Sequence, residues 1–212
     1  RIILNYPYVR ESMNIGIDID GVLCSEDFFQ LTYGTKYCCQ KELKISKFSP
    51  FSKETKDIFG WSSKDDHDFW KINYLYYLTT SAFLYPFAAE FIQNLYKNEH
   101  NIFIISQRSQ TILDKLEIPA NMEFLTREWL EKNHIPFHQL ILAKRLKQFY
   151  VDKLNIDLMI DDDPQVLIPS SKYTNVIGFR SHCNFKSFLP DIPMVSSWKE
   201  LEHRFGLLFN KR

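Results

Sequence analysis

The chain has 212 residues, of which 45% are hydrophobic and 16% aromatic, and its 26 basic residues balance 26 acidic ones. This length suits one domain with a modest insertion, and the apolar content is sufficient for a substantial core. A zero net charge does not favour a surface for nucleic acid polymers, and no apolar run approaches the roughly 18–20 residues of a membrane span. We therefore expect neither a nucleic acid polymer nor a membrane as a partner.

The N-terminal segment and the cysteines indicate where the protein works. Met13 directly precedes the first strand pattern, so we interpret residues 1–12 as an N-terminal extension that lacks the features of a signal peptide. Whether this extension is native stays open, as does the choice between a monomer and a homodimer. The four cysteines form neither a CxxC pair nor a metal-ligand spacing: Cys24, Cys38, Cys39 and Cys183. Their pattern predicts reduced thiols in a cytoplasmic protein.

The predicted elements alternate along the chain. Continuous apolar runs predict buried strands at 14–18, 101–106, 156–161 and 176–179. Such runs are typical of parallel strands that are covered on both faces. Amphipathic patterns predict helices at 87–98, 126–133, 146–154 and 197–205. Together they predict an α/β fold with a doubly wound parallel sheet.

A long insertion separates the first two predicted strands. Roughly 80 residues lie between them, far more than a strand–helix connection needs. Residues 24–83 are rich in aromatic side chains and have mostly helical patterns. We interpret them as a cap inserted over the ligand-binding edge of a core formed by 13–23 and 84–212. The alternative is a peripheral helical extension with an aromatic core of its own.

Polar side chains follow several of the predicted strands. Asp18 ends the first strand, Ser106 ends the second, and Asp161 and Asp162 end the third. Ligands of doubly wound sheets bind beyond the carboxyl ends of the strands. We therefore expect these side chains to meet at one edge of the sheet.

The residue types at these positions suit phosphoryl transfer. A covalent mechanism needs a nucleophilic carboxylate and a proton donor for the leaving oxygen, which Asp18 and Asp20 can supply. Gly21 permits a turn that brings Asp20 round to the leaving group. Because adjacent carboxylates repel one another and Mg²⁺ prefers oxygen ligands, Asp161 and Asp162 are candidate partners in a magnesium site.

The motifs as a set resemble those of the haloacid-dehalogenase-like phosphatases, over residues 13 to about 205. The matching segments are DIDGV from Asp18, IIS ending at Ser106, and MIDD ending at Asp162. The resemblance implies that Asp18 is the nucleophile and Asp20 the general acid and base. It also implies that Ser106 binds the phosphoryl group, and that Asp18, the Asp20 backbone carbonyl, Asp161 and Asp162 hold Mg²⁺.

The family's third motif is a lysine that neutralises the nucleophile and the phosphate. The candidates before the Asp161 strand are Lys144, Lys147 and Lys153. Lys147 lies 14 residues before Asp161 at the predicted start of a helix, and that spacing most resembles the family's. Helix N-termini favour anionic ligands, which also suits this position. We expect Lys147 to serve, and Lys144 if the helix begins earlier.

Four segments carry a closer resemblance within the superfamily: DIDGVL at 18–23, Phe69-Trp70, YPFAAE at 85–90 and DDDP at 161–164. In them the chain most resembles the 5′(3′)-deoxyribonucleotidases and the bacterial nucleotidases grouped with them. The second motif continues as Gln107 and Arg108, where the deoxyribonucleotidases carry a shorter, neutral continuation, and this resembles the bacterial branch. We expect Gln107, Arg108 and Gly21 to contact substrate together with Ser106. Phe69 and Trp70 either stack on a substrate ring or form the core of the cap.

These observations predict a Mg²⁺-dependent phosphomonoesterase with an aspartyl-phosphate intermediate, acting on (deoxy)nucleoside monophosphates. One alternative keeps the site but changes the substrate to a sugar phosphate or another small phosphorylated metabolite. The other is a phosphate-binding protein without catalysis, which a nucleophile and acid–base pair argue against.

Overall fold

A computed structural model of the chain describes residues 12–182, 184–206 and 209, and these contain one six-stranded sheet. In chain order the strands are β1 (Asn14–Ile17), β2 (Asn101–Ser106), β3 (Gln139–Leu142), β4 (Leu158–Asp161), β5 (Asn175–Phe179) and β6 (Met194–Val195). Their spatial order is β3-β2-β1-β4-β5-β6, and every neighbouring pair is parallel. This topology confirms the predicted doubly wound α/β fold.

The helices lie between and after these strands. They are α1 (Glu26–Lys41), α2 (Thr55–Phe59), α3 (Ser63–Thr79), α4 (Ala88–Lys97), α5 (Gln110–Lys115), α6 (Met122–Lys132), α7 (Lys147–Lys153), α8 (Pro164–Ser170) and α9 (Trp198–Phe205). Polar side chains cap several of their N-termini by accepting backbone N–H groups, among them Ser25, Ser62, Asn121 and Ser197. Within the described ranges, no helix combines the length and the hydrophobicity needed to cross a bilayer.

The centre of the sheet is covered on both faces. In β1, Ile15, Gly16 and Ile17 are all buried, although successive residues of a strand point to opposite faces. Ile17 lies opposite Ile104 of β2 and Ile160 of β4, and both of these are also fully buried. The continuous apolar runs of the sequence therefore correspond to the central strands.

The predicted elements differ from the observed ones mainly at the periphery. Strands β3 and β6 and helices α5 and α8 were not predicted, because each is short and its sequence lacks a sustained pattern. Helix α6 begins at Met122, four residues before the predicted start. The interpretation of residues 1–12 concerns a segment of which only Ser12 is described, and Cys183 also lies outside the described residues.

The long insertion contains α1, α2 and α3, which pack through aromatic side chains. The rings of Phe29 and Tyr33 stack with centroids 4.8 Å apart, and Phe69 packs edge-on to Tyr37 at 5.6 Å. Phe69 is fully buried and belongs to this packing. The assignment of 24–83 as a cap stays a prediction.

Candidate active site

The carboxyl ends of the central strands form one wall of a cavity of about 290 Å³. Asp18 follows β1 and its backbone N–H donates to the carbonyl of Ile160 in β4, at 3.0 Å. Sheet pairing thus continues to the residue whose side chain enters the cavity. Seven of the predicted site residues line this cavity and therefore meet there: Asp18, Asp20, Gly21, Gln107, Arg108, Lys147 and Asp162.

Lys147 links two of the carboxylates at the strand ends. Its Nζ lies 2.7 Å from Asp18 Oδ1 and 2.9 Å from Asp161 Oδ2, and its side chain is 2% exposed. Burial lowers the pKa of Lys147, but the two aspartates outweigh that effect and hold it above its ordinary value. Lys147 is therefore a buried cation that bridges Asp18 and Asp161.

The pKa of Asp18 is raised well above its ordinary value. Burial is the main cause, and Lys147 opposes it, whereas the negative charges of Asp161, Asp162 and Asp20 raise the pKa further. One lysine thus does not neutralise the buried carboxylates around it. The cluster requires further positive charge for all of these groups to be ionised together.

The carboxylates of Asp18, Asp161 and Asp162 could hold a metal ion. One oxygen of each lies within 4.8 Å of the others, and all three residues are buried. Ser181 Oγ donates to Asp162 Oδ2 at 2.6 Å and fixes one of these carboxylates. Three carboxylates whose negative charge one lysine does not balance fit a hard divalent cation such as Mg²⁺, which the sequence predicted at this position.

Gly21 forms the turn that follows β1. Its φ is +83°, and a Cβ at this position would lie 2.1 Å from Asp162 Oδ2. Any other residue would be strained and would also displace a candidate metal ligand. The fully buried Trp198 stabilises this turn, since its Nε1–H donates to the carbonyl of Val22 at 3.0 Å.

The Asp20 side chain lies apart from the three clustered carboxylates and is bound by Arg108. Arg108 donates from Nη2 to Oδ1 at 2.8 Å and from Nε to Oδ2 at 3.0 Å. Tyr77 of α3 also donates its hydroxyl to Oδ1, at 2.5 Å. Burial raises the pKa of Asp20, but the Arg108 charge and these hydrogen bonds lower it overall. Asp20 is thus an anion in this arrangement.

Arg108 is almost fully buried and lies over two aromatic rings. Its guanidinium carbon is 5.6 Å from the ring centroids of both Tyr77 and Trp129. Its Nη1 has no hydrogen-bond partner among the residues that the structure describes, and Arg108 lines the cavity. An unpaired, buried N–H donor of a cation is suited to an anionic ligand.

Ser106 and Gln107 occupy different environments. Ser106 is fully buried, and its Oγ accepts the backbone N–H of Arg108 at 3.1 Å. Of the described residues, the set that lines the cavity includes Gln107 but not Ser106. Lys144 is also absent from that set, and its backbone N–H donates to Tyr150 Oη at 3.2 Å.

The cavity contains residues that sequence reasoning missed. Tyr77 and Glu26 come from the insertion, and His182 follows β5. Burial, and secondarily the charge of Asp20, raise the pKa of Glu26 to about 7. Tyr77 is separated from Asp20 by 57 residues, and no spacing signal connects them. The only sequence signal was the general enrichment of the insertion in aromatic residues.

The fold is similar to that of several solved haloacid dehalogenase-like hydrolases, as the resemblance drawn from the motifs predicts. A family hydrolase from Deinococcus radiodurans R1, with bound phosphate and sodium, has a TM-score of 0.60 at 14% identity and covers 93% of this chain and 96% of its own. CbbY from Rhodobacter sphaeroides, in complex with xylulose-(1,5)bisphosphate, has a TM-score of 0.53 at 13% identity. The match covers 90% of this chain and 96% of CbbY.

Sequence comparison gives a more particular similarity. The chain is 26% identical over 203 residues to a Bacillus cereus protein named "Putative nucleotidase", covering 89% of this chain and 96% of that protein. No protein-family model matches the chain.

Proposed function

We propose that the protein is a Mg²⁺-dependent phosphomonoesterase that forms an aspartyl phosphate, an acyl phosphate, on Asp18. The observation that carries this proposal is the environment of Asp18, a buried carboxylate that lines the cavity and contacts Lys147 at 2.7 Å. A phosphate-binding protein without catalysis needs donors and cations for its ligand. It does not need a buried carboxylate where the phosphate binds, because that charge repels the ligand.

The first step is attack by an Asp18 carboxylate oxygen on phosphorus, as the bond to the leaving oxygen breaks and that oxygen takes a proton from Asp20. Lys147 neutralises Asp18 and the phosphoryl group, while Gln107, which lines the cavity, supplies a donor to the phosphoryl oxygens. The Nη1 of Arg108 is a further donor for the phosphate. In the second step, water attacks phosphorus and releases Asp18.

The contact with Arg108 favours Asp20 as the base that accepts a proton from water over Asp20 as the acid that protonates the leaving oxygen. A carboxylate with a lowered pKa is ready to accept the proton of the attacking water. To protonate the leaving oxygen, Asp20 must instead carry a proton. We therefore expect its contact with Arg108 to loosen when substrate binds, as the phosphate draws the guanidinium toward itself.

Asp18, Asp161 and Asp162 would hold the magnesium ion, with the Asp20 backbone carbonyl as a further ligand. When bound, the ion supplies the positive charge that Lys147 alone does not provide to the carboxylates and the phosphate.

The proposed substrate is a (deoxy)nucleoside monophosphate, which makes the enzyme a 5′-nucleotidase. Similarity to the Bacillus cereus protein supports this class. Trp70 and Tyr74 of the insertion, which line space beside the catalytic cavity, support it as well. The second candidate is a sugar phosphate, because the CbbY structure of the same fold holds xylulose-(1,5)bisphosphate.

The experiment is hydrolysis of p-nitrophenyl phosphate with Mg²⁺ and with excess EDTA, followed by a screen of phosphorylated metabolites. We expect turnover only with Mg²⁺, and recovery when Mg²⁺ is restored. Full activity in EDTA would remove the metal from the scheme. Tight phosphate binding without turnover of any substrate would favour the non-catalytic alternative.

A further inference from the structure

A second cavity, of about 380 Å³, adjoins the catalytic one. The two share four lining residues, namely Glu26, Lys53, Tyr74 and Ile112. A molecule bound with its phosphate at Asp18 therefore has adjoining space for its leaving group. The remaining walls of the second cavity come mostly from α1, α2 and α3 of the insertion.

Three residues that line this cavity each carry a buried polar atom without a hydrogen-bond partner. Among the described residues, Gln30 Oε1, Thr55 Oγ1 and Asp66 Oδ1 have no hydrogen-bond partner. Gln30 is 2% exposed and Thr55 1% exposed, so neither side chain is hydrated as a surface group would be. Buried polar groups are almost always paired in native proteins, and three exceptions around one cavity point to a ligand.

The chemistry of these atoms selects the ligand. The Gln30 amide is oriented by Glu26, since its Nε2 donates to Glu26 Oε1 at 3.1 Å and leaves Oε1 as an acceptor. Asp66 accepts a hydrogen bond from the backbone of Lys56, and its free oxygen is also an acceptor. Thr55 can accept or donate. The cavity is therefore suited to a ligand with several N–H or O–H donors on one edge.

The aromatic walls favour a planar ligand. Trp70 and Tyr74 line the cavity with their rings nearly perpendicular, at an interplanar angle of 86° and a centroid distance of 5.6 Å. Flat apolar surfaces beside hydrogen-bond acceptors fit a nucleobase, whose faces stack and whose edge carries donors. A sugar offers hydroxyl donors but no planar face.

We propose that this second cavity is the leaving-group subsite, and that Gln30, Thr55 and Asp66 select a nucleoside monophosphate with a donor-rich base, namely guanine. Guanine presents N1–H and the exocyclic N2 amino group side by side, which gives three N–H bonds on one edge. Uracil and thymine present one N–H group there. The proposal names the substrate of the reaction proposed above and rests on that function.

The test compares kcat/KM for guanosine 5′-monophosphate, inosine 5′-monophosphate, glucose 6-phosphate and p-nitrophenyl phosphate. Inosine monophosphate lacks only the exocyclic amino group, so we expect its kcat/KM to be about 2- to 10-fold lower than that of the guanine nucleotide. Equal values for these two nucleotides, or preference for glucose 6-phosphate, would overturn the assignment to guanine.

Thr55→Val removes the unpaired hydroxyl and keeps the side-chain shape. We expect a 2- to 10-fold loss of kcat/KM for the guanine nucleotide, none for p-nitrophenyl phosphate, and an unchanged or higher Tm. The matched control is Thr126→Val, because the Thr126 hydroxyl is buried but donates to the Met122 carbonyl at 2.8 Å. This control should lower Tm and leave the substrate ratio unchanged. Equal losses for both substrates in Thr55→Val would contradict the subsite.

Calorimetric titration with guanosine separates the subsite from the chemistry. Guanosine has no phosphate, so its binding does not depend on Asp18 or on hydrolysis. We expect the wild-type protein to bind it, and Thr55→Val to bind it about 2- to 10-fold more weakly. Binding without hydrolysis of any phosphate ester would retain the subsite and refute the proposed function. Hydrolysis of p-nitrophenyl phosphate without guanosine binding would refute the subsite and retain the proposed phosphatase function.

Discussion

The two adjoining cavities differ in which polar atoms they leave unpaired. At the strand ends, the carboxylates of Asp18 and Asp161 are paired with Lys147. Among the described residues that line this cavity, the buried atoms without a hydrogen-bond partner are Arg108 Nη1, a cationic donor, and His182 Nδ1. In the second cavity the unpaired atoms include two acceptors, on Gln30 and Asp66. One side is therefore suited to an anion and the other to N–H groups.

With such complementary cavities, two parts of the chain can recognise the two ends of one substrate. The catalytic cluster is built mainly from strand ends and the helix start at Lys147, which the sheet holds in register. The acceptors come from α1, α2 and α3, whose positions depend on aromatic packing. A nucleotide, with an anion at one end and N–H donors at the other, matches both.

The largest expected effect is the loss of the nucleophile. Asp18→Asn keeps the side-chain shape but removes the attacking charge, so kcat should fall by a factor on the order of 10⁶. The measurement is steady-state hydrolysis of p-nitrophenyl phosphate, with circular dichroism to verify folding. The second cavity should be unaffected, so guanosine binding should persist.

The control for this variant is Asp157→Asn, at the opposite end of the same sheet. Asp157 Oδ2 accepts the backbone N–H of Asn14 at 2.9 Å, far from the cavity in sheet register. This variant should keep its kcat and lose some stability. A folded Asp18→Asn protein with near-normal turnover would contradict the whole mechanism.

Asp20→Asn should have the next largest effect, and the effect should depend on the leaving group. General acid catalysis contributes about 10²–10⁴-fold, and poor leaving groups need it most. We expect nucleotide hydrolysis to fall by about that factor, and hydrolysis of p-nitrophenyl phosphate to fall less. Equal losses over a series of phosphate esters with graded leaving groups would contradict the acid role.

Ser181→Ala should act on the metal site alone. Its hydroxyl donates to Asp162 Oδ2, so the variant leaves one candidate ligand less constrained. Loss of such an outer contact typically weakens metal affinity about 10- to 100-fold. Titration of activity with Mg²⁺ should show this shift with kcat nearly restored at saturation. An unchanged Mg²⁺ requirement would show that the Ser181 hydrogen bond does not orient Asp162 for metal binding.

The central strands and the site residues at their carboxyl ends could be predicted from the sequence. The continuous apolar runs that end at Asp18, Ser106 and Asp161 locate the central strands, and the parallel sheet then brings their ends to one edge. Strand β3 was missed because it is a four-residue strand at the edge of the sheet, with a mixed burial pattern. Periodicity is weak where one side of a strand is exposed and the run is short.

Contacts between distant segments could not be predicted from the sequence. The hydroxyl of Tyr77 reaches Asp20 because α3 packs against the strand-end turn, and the Ser181 contact with Asp162 joins two loops. The unpaired oxygens of Gln30 and Thr55 depend on the same packing of the insertion. No spacing rule relates these pairs, whereas DxD and strand-end motifs are local in sequence.

The smallest expected effect concerns Glu26, which lines both cavities and therefore links them. Burial, and then the charge of Asp20, raise its pKa from 4.5 to about 7, although His182 opposes the shift. Between these two values the folded chain holds a proton that the unfolded chain has released. Stability conferred by that proton is fully present below 4.5 and is lost as the pH rises through 7.

Glu26→Gln should remove this dependence, because glutamine does not ionise. Relative to the wild type, the variant should gain about 2 to 3 kcal/mol of unfolding free energy between pH 5 and pH 8. The measurement is urea unfolding at both pH values in EDTA, which keeps bound metal from altering the charges near Glu26. The same difference between variant and wild type at both pH values would show that Glu26 ionises alike in the folded and unfolded chain. In that case neither burial nor the charge of Asp20 would raise the pKa of Glu26, and its carboxyl group would be hydrated.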